Sequence, residues 1–109
     1  GAVAEAITLC EKAGANPYKL IKAISGGWAD SKILQTHGKR MIEKDFSPKG
    51  KTSTHYKDMN NILECANLHN IHLPISNLVK EMYKTLIDNG HKNTDHSSLY
   101  MEIERINNK

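Results

Sequence analysis

The stretch Pro74-Ile75-Ser76-Asn77-Leu78-Val79-Lys80-Glu81-Met82-Tyr83-Lys84-Thr85-Leu86-Ile87-Asp88-Asn89-Gly90 decides the fold class. Its apolar residues Ile75, Leu78, Val79, Met82, Leu86 and Ile87 recur at steps of three and four, the spacing of one face of an α-helix. Proline suits the first helical position because the N–H it lacks would have no partner there. Asn89-Gly90 then offers residues that tolerate the left-handed backbone by which helices commonly close. The pattern predicts a helix from Pro74 to that stop.

The same period spreads in both directions. A fourth helix is predicted from Thr52 to His69, with Met59, Ile62, Leu63 and Ala66 as its core stripe and Lys57, Asn60, Asn61 and Glu64 on the opposite side. A third starts near Asp30 or Ser31, carries Ile33, Leu34, His37, Met41 and Ile42, and gives way to a loop at Asp45-Phe46-Ser47-Pro48-Lys49-Gly50. Asn16-Pro17 is a helix start, Asn as cap and Pro at the first turn, followed by Leu20, Ile21 and Ile24 and ended by Gly26-Gly27. The opening stretch Ala2 to Ala13 aligns Val3, Ile7 and Cys10 and stops at Gly14. It has no capping residue and no initiator Met before it, as expected of a helix entered partway along a longer protein. Asn93-Thr94-Asp95 caps a last helix with Leu99, Ile103 and Ile106 on one face. No segment alternates with period two, so the expectation is an all-α domain of five or six helices filling residues 1–109.

Composition narrows the function classes. A chain of 109 residues with 39% hydrophobic side chains can bury a core. No apolar run approaches the roughly 20 residues of a membrane span, and no signal peptide opens the chain, so a soluble, non-exported protein is expected. Net charge is +3, from 15 basic and 12 acidic residues. The basic residues are spread out, densest at Lys39-Arg40 and Lys49 to Lys51, which suits a solvated helical surface better than a nucleic-acid partner. A small basic patch for an anionic cofactor stays open. Cys10 and Cys65 could pair in principle, but each sits among apolar neighbours at helical spacing and reads as a core position, which fits a reducing cytoplasm.

Candidate chemistry is sparse. Of the six histidines, His69 and His72 straddle a helix end, while His91 and His96 flank a loop and could approach each other. None has zinc-motif spacing, so no metal is expected. The serines lie in turns and helix starts, where their hydroxyls bond backbone, and no nucleophile elbow, Walker loop or dinucleotide fingerprint is present. Trp28, after Gly26-Gly27, reads as a core or interface anchor. Lys57 and Asp58 stand out more. Lys57 lies on the polar side of the fourth helix, where a solvated lysine is the ordinary reading, but beside a cleft it can hydrogen-bond an anionic cofactor. Asp58 borders the buried stripe, where a carboxylate needs a partner.

Several stretches in order resemble one family. Ser25-Gly26-Gly27-Trp28-Ala29-Asp30-Ser31 and Arg40-Met41-Ile42-Glu43-Lys44-Asp45-Phe46-Ser47-Pro48 resemble the middle of the C-terminal domain of β-hydroxyacid dehydrogenases. Lys57-Asp58-Met59 stands in the place of that family's Lys-Asp-Leu motif. Gly90-His91 and Asp95-His96-Ser97-Ser98-Leu99 are similar to the ending of its tartronate semialdehyde reductase branch, and Glu5-Ala6 and Glu11-Lys12-Ala13-Gly14 also fit. The resemblance implies an all-helical C-terminal domain like that of 6-phosphogluconate dehydrogenase, joined in the full protein to an N-terminal Rossmann domain absent from this chain. It implies hydride transfer between NAD or NADP and a small β-hydroxyacid or its semialdehyde, within a homo-oligomer. Lys57 matches the lysine that reaches the cofactor and Asp58 its positioning neighbour. The family's catalytic lysine belongs to a glycine-rich stretch upstream of Gly1, so no catalytic residue is assigned here and the piece alone is expected to be inactive. Lys49-Gly50 replaces the more usual Gly-Phe, which alters the expected cofactor wall.

Two other readings compete. One is a stand-alone helical protein- or DNA-interaction module. The other is a parent of the dehydrogenase fold with a non-enzymatic role, which loss of the upstream lysine would reveal.

Overall fold

A computed structural model describes residues 1–108. These residues form six α-helices: α1 (Ala2–Lys12), α2 (Pro17–Ile24), α3 (Lys39–Glu43), α4 (Thr52–Leu68), α5 (Pro74–Asp88) and α6 (Leu99–Asn107). No strand occurs among the described residues; one isolated antiparallel bridge joins Lys51 to Asp95. The all-α expectation therefore holds, and among the described residues no helix is long and apolar enough to cross a membrane.

Helix ends follow local chemistry. The Asn16 side chain accepts from the Tyr18 N–H at 2.9 Å, satisfying an otherwise orphaned donor at the start of α2. Four helices close with a left-handed residue followed by an amide that reaches back five positions: Ala15 to Cys10, Asp45 to Arg40, Ile71 to Ala66 and His91 to Leu86. The left-handed positions are Gly14, Lys44, Asn70 and Gly90. Glycine and asparagine enter that region readily, so three of the stops are written in residue type, whereas Lys44 takes it against preference.

The third predicted helix contains an irregularity that periodicity does not signal. Residues 32–43 are continuous helix, but Leu34–Gly38 is wound as a π-turn before α3 begins. Gly38 makes this turn's close approach possible: a Cβ there would lie 3.3 Å from the Ile21 side chain and 3.6 Å from Val3. Leu34, Gly38, Arg40 and Met41 are buried, while Ile33, placed in the predicted stripe, is exposed.

The core has two centres. Ala4, Ile7, Met41, Tyr100 and Ile103 form one, and Tyr83, Leu86 and Leu99 the other, with Met82 packed against both. Helix α6 supplies residues to each, so it is the strut between α1 and α5. Helices α4 and α5 form an antiparallel hairpin joined through 69–73.

Several expected core positions are not buried. Ile62 is exposed on α4, Ile75 and Leu78 are exposed on α5, and Ile106 is exposed on α6. Cys65 is exposed and Cys10 only half-buried, and both are free thiols, so neither is the core cysteine expected. Trp28 is fully exposed and anchors nothing within the described residues. Amphipathic spacing identifies an apolar face, but burial also needs a second surface to cover it. The outer part of the α4–α5 hairpin has no third layer among the described residues.

Replacing Ile7 by Ala, at a site with 0% exposure, is expected to cost about 2–5 kcal/mol in urea unfolding. Ile75→Ala, at 78% exposure, should stay within about 0.5 kcal/mol of the parent sequence. Equal effects at the two sites would contradict this division of core from surface.

Candidate functional site

The most concentrated polar chemistry lies where the loop after α3 meets the loop before α6. Asp95, with 0% exposure, is its centre. One carboxylate oxygen accepts the Lys49 and Gly50 amides at 3.1 and 3.0 Å. The other accepts the Ser97 amide at 3.0 Å and the Ser97 hydroxyl. The Arg40 Nη1 lies 3.2 Å from Oδ1. Burial pushes the Asp95 carboxyl up, but the bonds from the Ser97 hydroxyl and the Gly50, Ser97 and Lys49 amides outweigh it and hold the group well below the usual carboxylate range. Asp95 is therefore an anion held inside the fold.

Backbone bonds fasten the same two loops. The Asp95 amide donates to the Phe46 carbonyl at 2.9 Å, His96 to Gly50 at 2.7 Å, and Thr52 to Thr94 at 2.8 Å. The Thr52 hydroxyl, fully buried, donates to the Thr94 carbonyl at 3.0 Å and lies 3.2 Å from the Ser98 hydroxyl. Arg40 Nε donates to the Asp45 carbonyl at 3.1 Å, and its Nη2 donates to the Ser47 carbonyl. One guanidinium thus ties the end of α3, the following loop and Asp95 together.

Beside this clasp is a cavity of about 180 Å³ whose wall includes His37, His55, Tyr83, His96 and Ser97. His55 stacks on His96 with centroids 4.6 Å apart and planes at 9°, and His37 meets His96 edge-on at 4.5 Å. Tyr83 packs edge-on against His55 at 5.3 Å and donates its hydroxyl to the His96 carbonyl at 3.1 Å. Burial pushes the His96 imidazole down; Asp95 opposes that, while His55, His37 and Arg40 reinforce it. Burial, with the nearby Asp95 charge, pushes the Tyr83 phenol up. The Nδ1 of His37 is buried without a hydrogen-bond partner, 3.9 Å from Asp95 Oδ2. Although Asp95, His96 and Ser97 sit together, Ser97 bonds the carboxylate directly and no imidazole stands between them. A relay that deprotonates the serine is not built here.

The sequence-predicted pair lies elsewhere. Lys57 and Asp58 are both exposed in the middle of α4. Lys57 shares its polar face with Asn61 and Glu64, as the periodicity predicts, whereas Asp58 is solvated instead of bordering buried apolar groups. Their exposure lets them reach a partner outside the described residues, and an exposed ammonium is chemically suited to an anionic cofactor. A dinucleotide pyrophosphate is commonly cradled at a strand-to-helix turn. The described residues contain no strand and so no turn of that kind.

Sequence reasoning missed the histidine cluster. His37 lies in the π-turn, His55 on α4 and His96 in a 3-10 turn before α6, and His96 meets these two partners from distant parts of the chain. The available signals were small: His37 within an apolar stripe, and Arg40 beside the core residue Met41.

Asp95→Asn leaves Arg40 without its counter-charge, so an unfolding cost of about 3–5 kcal/mol is expected, read by urea denaturation. A change no larger than that of an exposed substitution would mean the ion pair is not holding the loops. Gly50→Ala would put a Cβ 2.9 Å from the His96 ring; the ring must move, which side-chain NMR shifts of His96 would report.

Comparison with known proteins places this geometry in a family. A family profile described as NAD-binding of NADP-dependent 3-hydroxyisobutyrate dehydrogenase matches residues 1–103. The 2-hydroxy-3-oxopropionate reductase of Escherichia coli (strain K12) is 39% identical over 107 residues, covering 98% of this chain and 37% of that protein. A probable mitochondrial 3-hydroxyisobutyrate dehydrogenase-like protein of Arabidopsis thaliana is 30% identical, covering 95% of this chain and 31% of its own length. The crystal structure of a 3-hydroxyisobutyrate dehydrogenase from Salmonella typhimurium superposes with a TM-score of 0.85 at 19% identity, over 92% of this chain and 35% of that one. The Mycobacterium tuberculosis 3-hydroxyisobutyrate dehydrogenase with L-serine gives 0.83 at 21% identity, over 94% and 37%. The chain thus spans about a third of the length of the relatives it matches. It belongs to the β-hydroxyacid dehydrogenase family.

Proposed function

We propose that this chain is the helical C-terminal domain of an NAD(P)-dependent oxidoreductase that interconverts a small β-hydroxyacid and its semialdehyde, with the dinucleotide held mainly by an N-terminal Rossmann domain. The observation that carries the reading is the near-complete match of this chain to about a third of a 2-hydroxy-3-oxopropionate reductase. A substrate of that class, a short semialdehyde bearing a carboxylate, follows by similarity. NAD(P) supplies the hydride chemistry when bound. The helical domain completes the cleft, contributes to contacts within a homo-oligomer and offers Lys57 to the cofactor, with Asp58 positioning it.

Exposure of both side chains on α4 supports that assignment, because neither is committed to the core. The exposed apolar residues Ile62, Leu68, Ile75 and Leu78 on α4 and α5 support a role in association. The free thiols Cys10 and Cys65 suit a reducing cytoplasm.

The full-length protein is expected to oxidise NADH or NADPH in the presence of 2-hydroxy-3-oxopropionate or a related short semialdehyde, and the 109-residue chain alone to show no turnover. Silence of the full-length protein across that panel with both cofactors would remove the enzymatic reading. Within the active protein, Lys57→Ala should raise the cofactor KM by about 10- to 100-fold, the range for a hydrogen bond to a charged group. An unchanged KM would take Lys57 out of the site.

A further inference from the structure

The geometry points to a divalent transition-metal site formed by His37, His96 and Asp95, suited to Zn2+ and open to the histidine-lined cavity. Ligand atoms of these three residues all lie within 4.8 Å of one another. Donors on a tetrahedral zinc stand about 3.3 Å apart, given bonds of about 2.0–2.1 Å. The site must therefore contract, and the burden falls on the two imidazoles. Asp95 is fixed by its amide and hydroxyl donors and by its ion pair with Arg40. His37 and His96 are only half-buried and both line the cavity, so ring rotation can bring their nitrogens inward.

An independent observation supports a missing partner. The buried Nδ1 of His37 has no hydrogen-bond partner and faces Asp95 Oδ2 at 3.9 Å, too far for a hydrogen bond. Buried polar atoms without partners are uncommon and call for an explanation. A cation between that nitrogen and that oxygen would satisfy the nitrogen, while Oδ1 keeps the Lys49 and Gly50 amide donors and its ion pair with Arg40.

The donor set selects the ion. Two imidazoles and one carboxylate favour borderline ions such as Zn2+ over Ca2+ or Mg2+, which prefer oxygen donors. Arg40, 3.2 Å from Asp95 Oδ1, neutralises part of the carboxylate charge and opposes a second cation, so the imidazoles must provide most of the binding. Ser97, through its amide and hydroxyl, orients the Asp95 oxygen that faces His37. A fourth position would face the cavity and take water. His55 stacks on His96 but falls outside the three-residue ligand group.

The test uses the chain after chelator treatment and dialysis, titrated with Zn2+ by calorimetry and with Co2+ by visible absorption. One Zn2+ per chain is expected, with selective shifts of the His37 and His96 side-chain resonances and no comparable response to Mg2+. His37→Ala and His96→Ala should each weaken binding by at least about a hundredfold, the upper range reported for outer-shell residues alone. His55→Phe, which preserves a stacking ring, should bind as the parent does, as should the double variant His69→Gln and His72→Gln. Absence of stoichiometric binding, or binding lost in the His69/His72 variant and retained in His37→Ala, would overturn the site. If an alanine variant fails to fold by circular dichroism, the resonance shifts of the unaltered chain decide: shifts confined to other histidines refute the proposal. These readouts need no dehydrogenase activity, so their outcome is separate from that of the proposed function.

Discussion

The buried ion pair of Arg40 with Asp95 is the constraint around which the surrounding loops are organised. A carboxylate with 0% exposure is costly to bury, and its cost is offset only when its oxygens are surrounded by donors. Those donors come from Lys49, Gly50 and Ser97, and Arg40 adds its counter-charge. Satisfying one anion therefore draws the end of α3, the loop before α4 and the turn before α6 to one point. The starting directions of α4 and α6 follow from that convergence.

Once α6 is set, the two apolar centres are linked. Leu99 belongs to the centre beneath α5, while Tyr100 and Ile103 belong to the one beside α1. The side of the clasp turned toward the cavity carries His37, His55 and His96 in ring contact. The polar hub thus has two consequences, holding loops together on one side and lining a small chamber with imidazoles on the other. Lys57 and Asp58 stand apart from this hub, exposed in the middle of α4.

The helical architecture was largely legible from residue order. Leu86 and Met82 sit inward on α5 as their spacing implies, Asn16-Pro17 starts α2, and Gly14 and Gly90 mark stops. These signals are local: they concern one helical face or one turn, and local backbone chemistry enforces them. Ile62, Ile75, Leu78 and Cys65 show the limit, since each lies on a periodic apolar stripe and is nevertheless exposed. Spacing describes a face, whereas burial is a relation between two faces.

By itself the sequence determined the helical class, the positions of most helix ends, and, through ordered likeness over nearly its whole length, the dehydrogenase family. Tertiary structure alone decided that Asp95, read as a helix cap, is also a buried counter-ion to Arg40, and that His37, His55 and His96 converge. It also decided that Leu34–Gly38 winds as a π-turn. The physical reason is range. Helix formation and capping depend on neighbours within about one turn, but pairing of a buried charge and the meeting of imidazoles depend on where distant segments pack. No spacing along the chain records that arrangement.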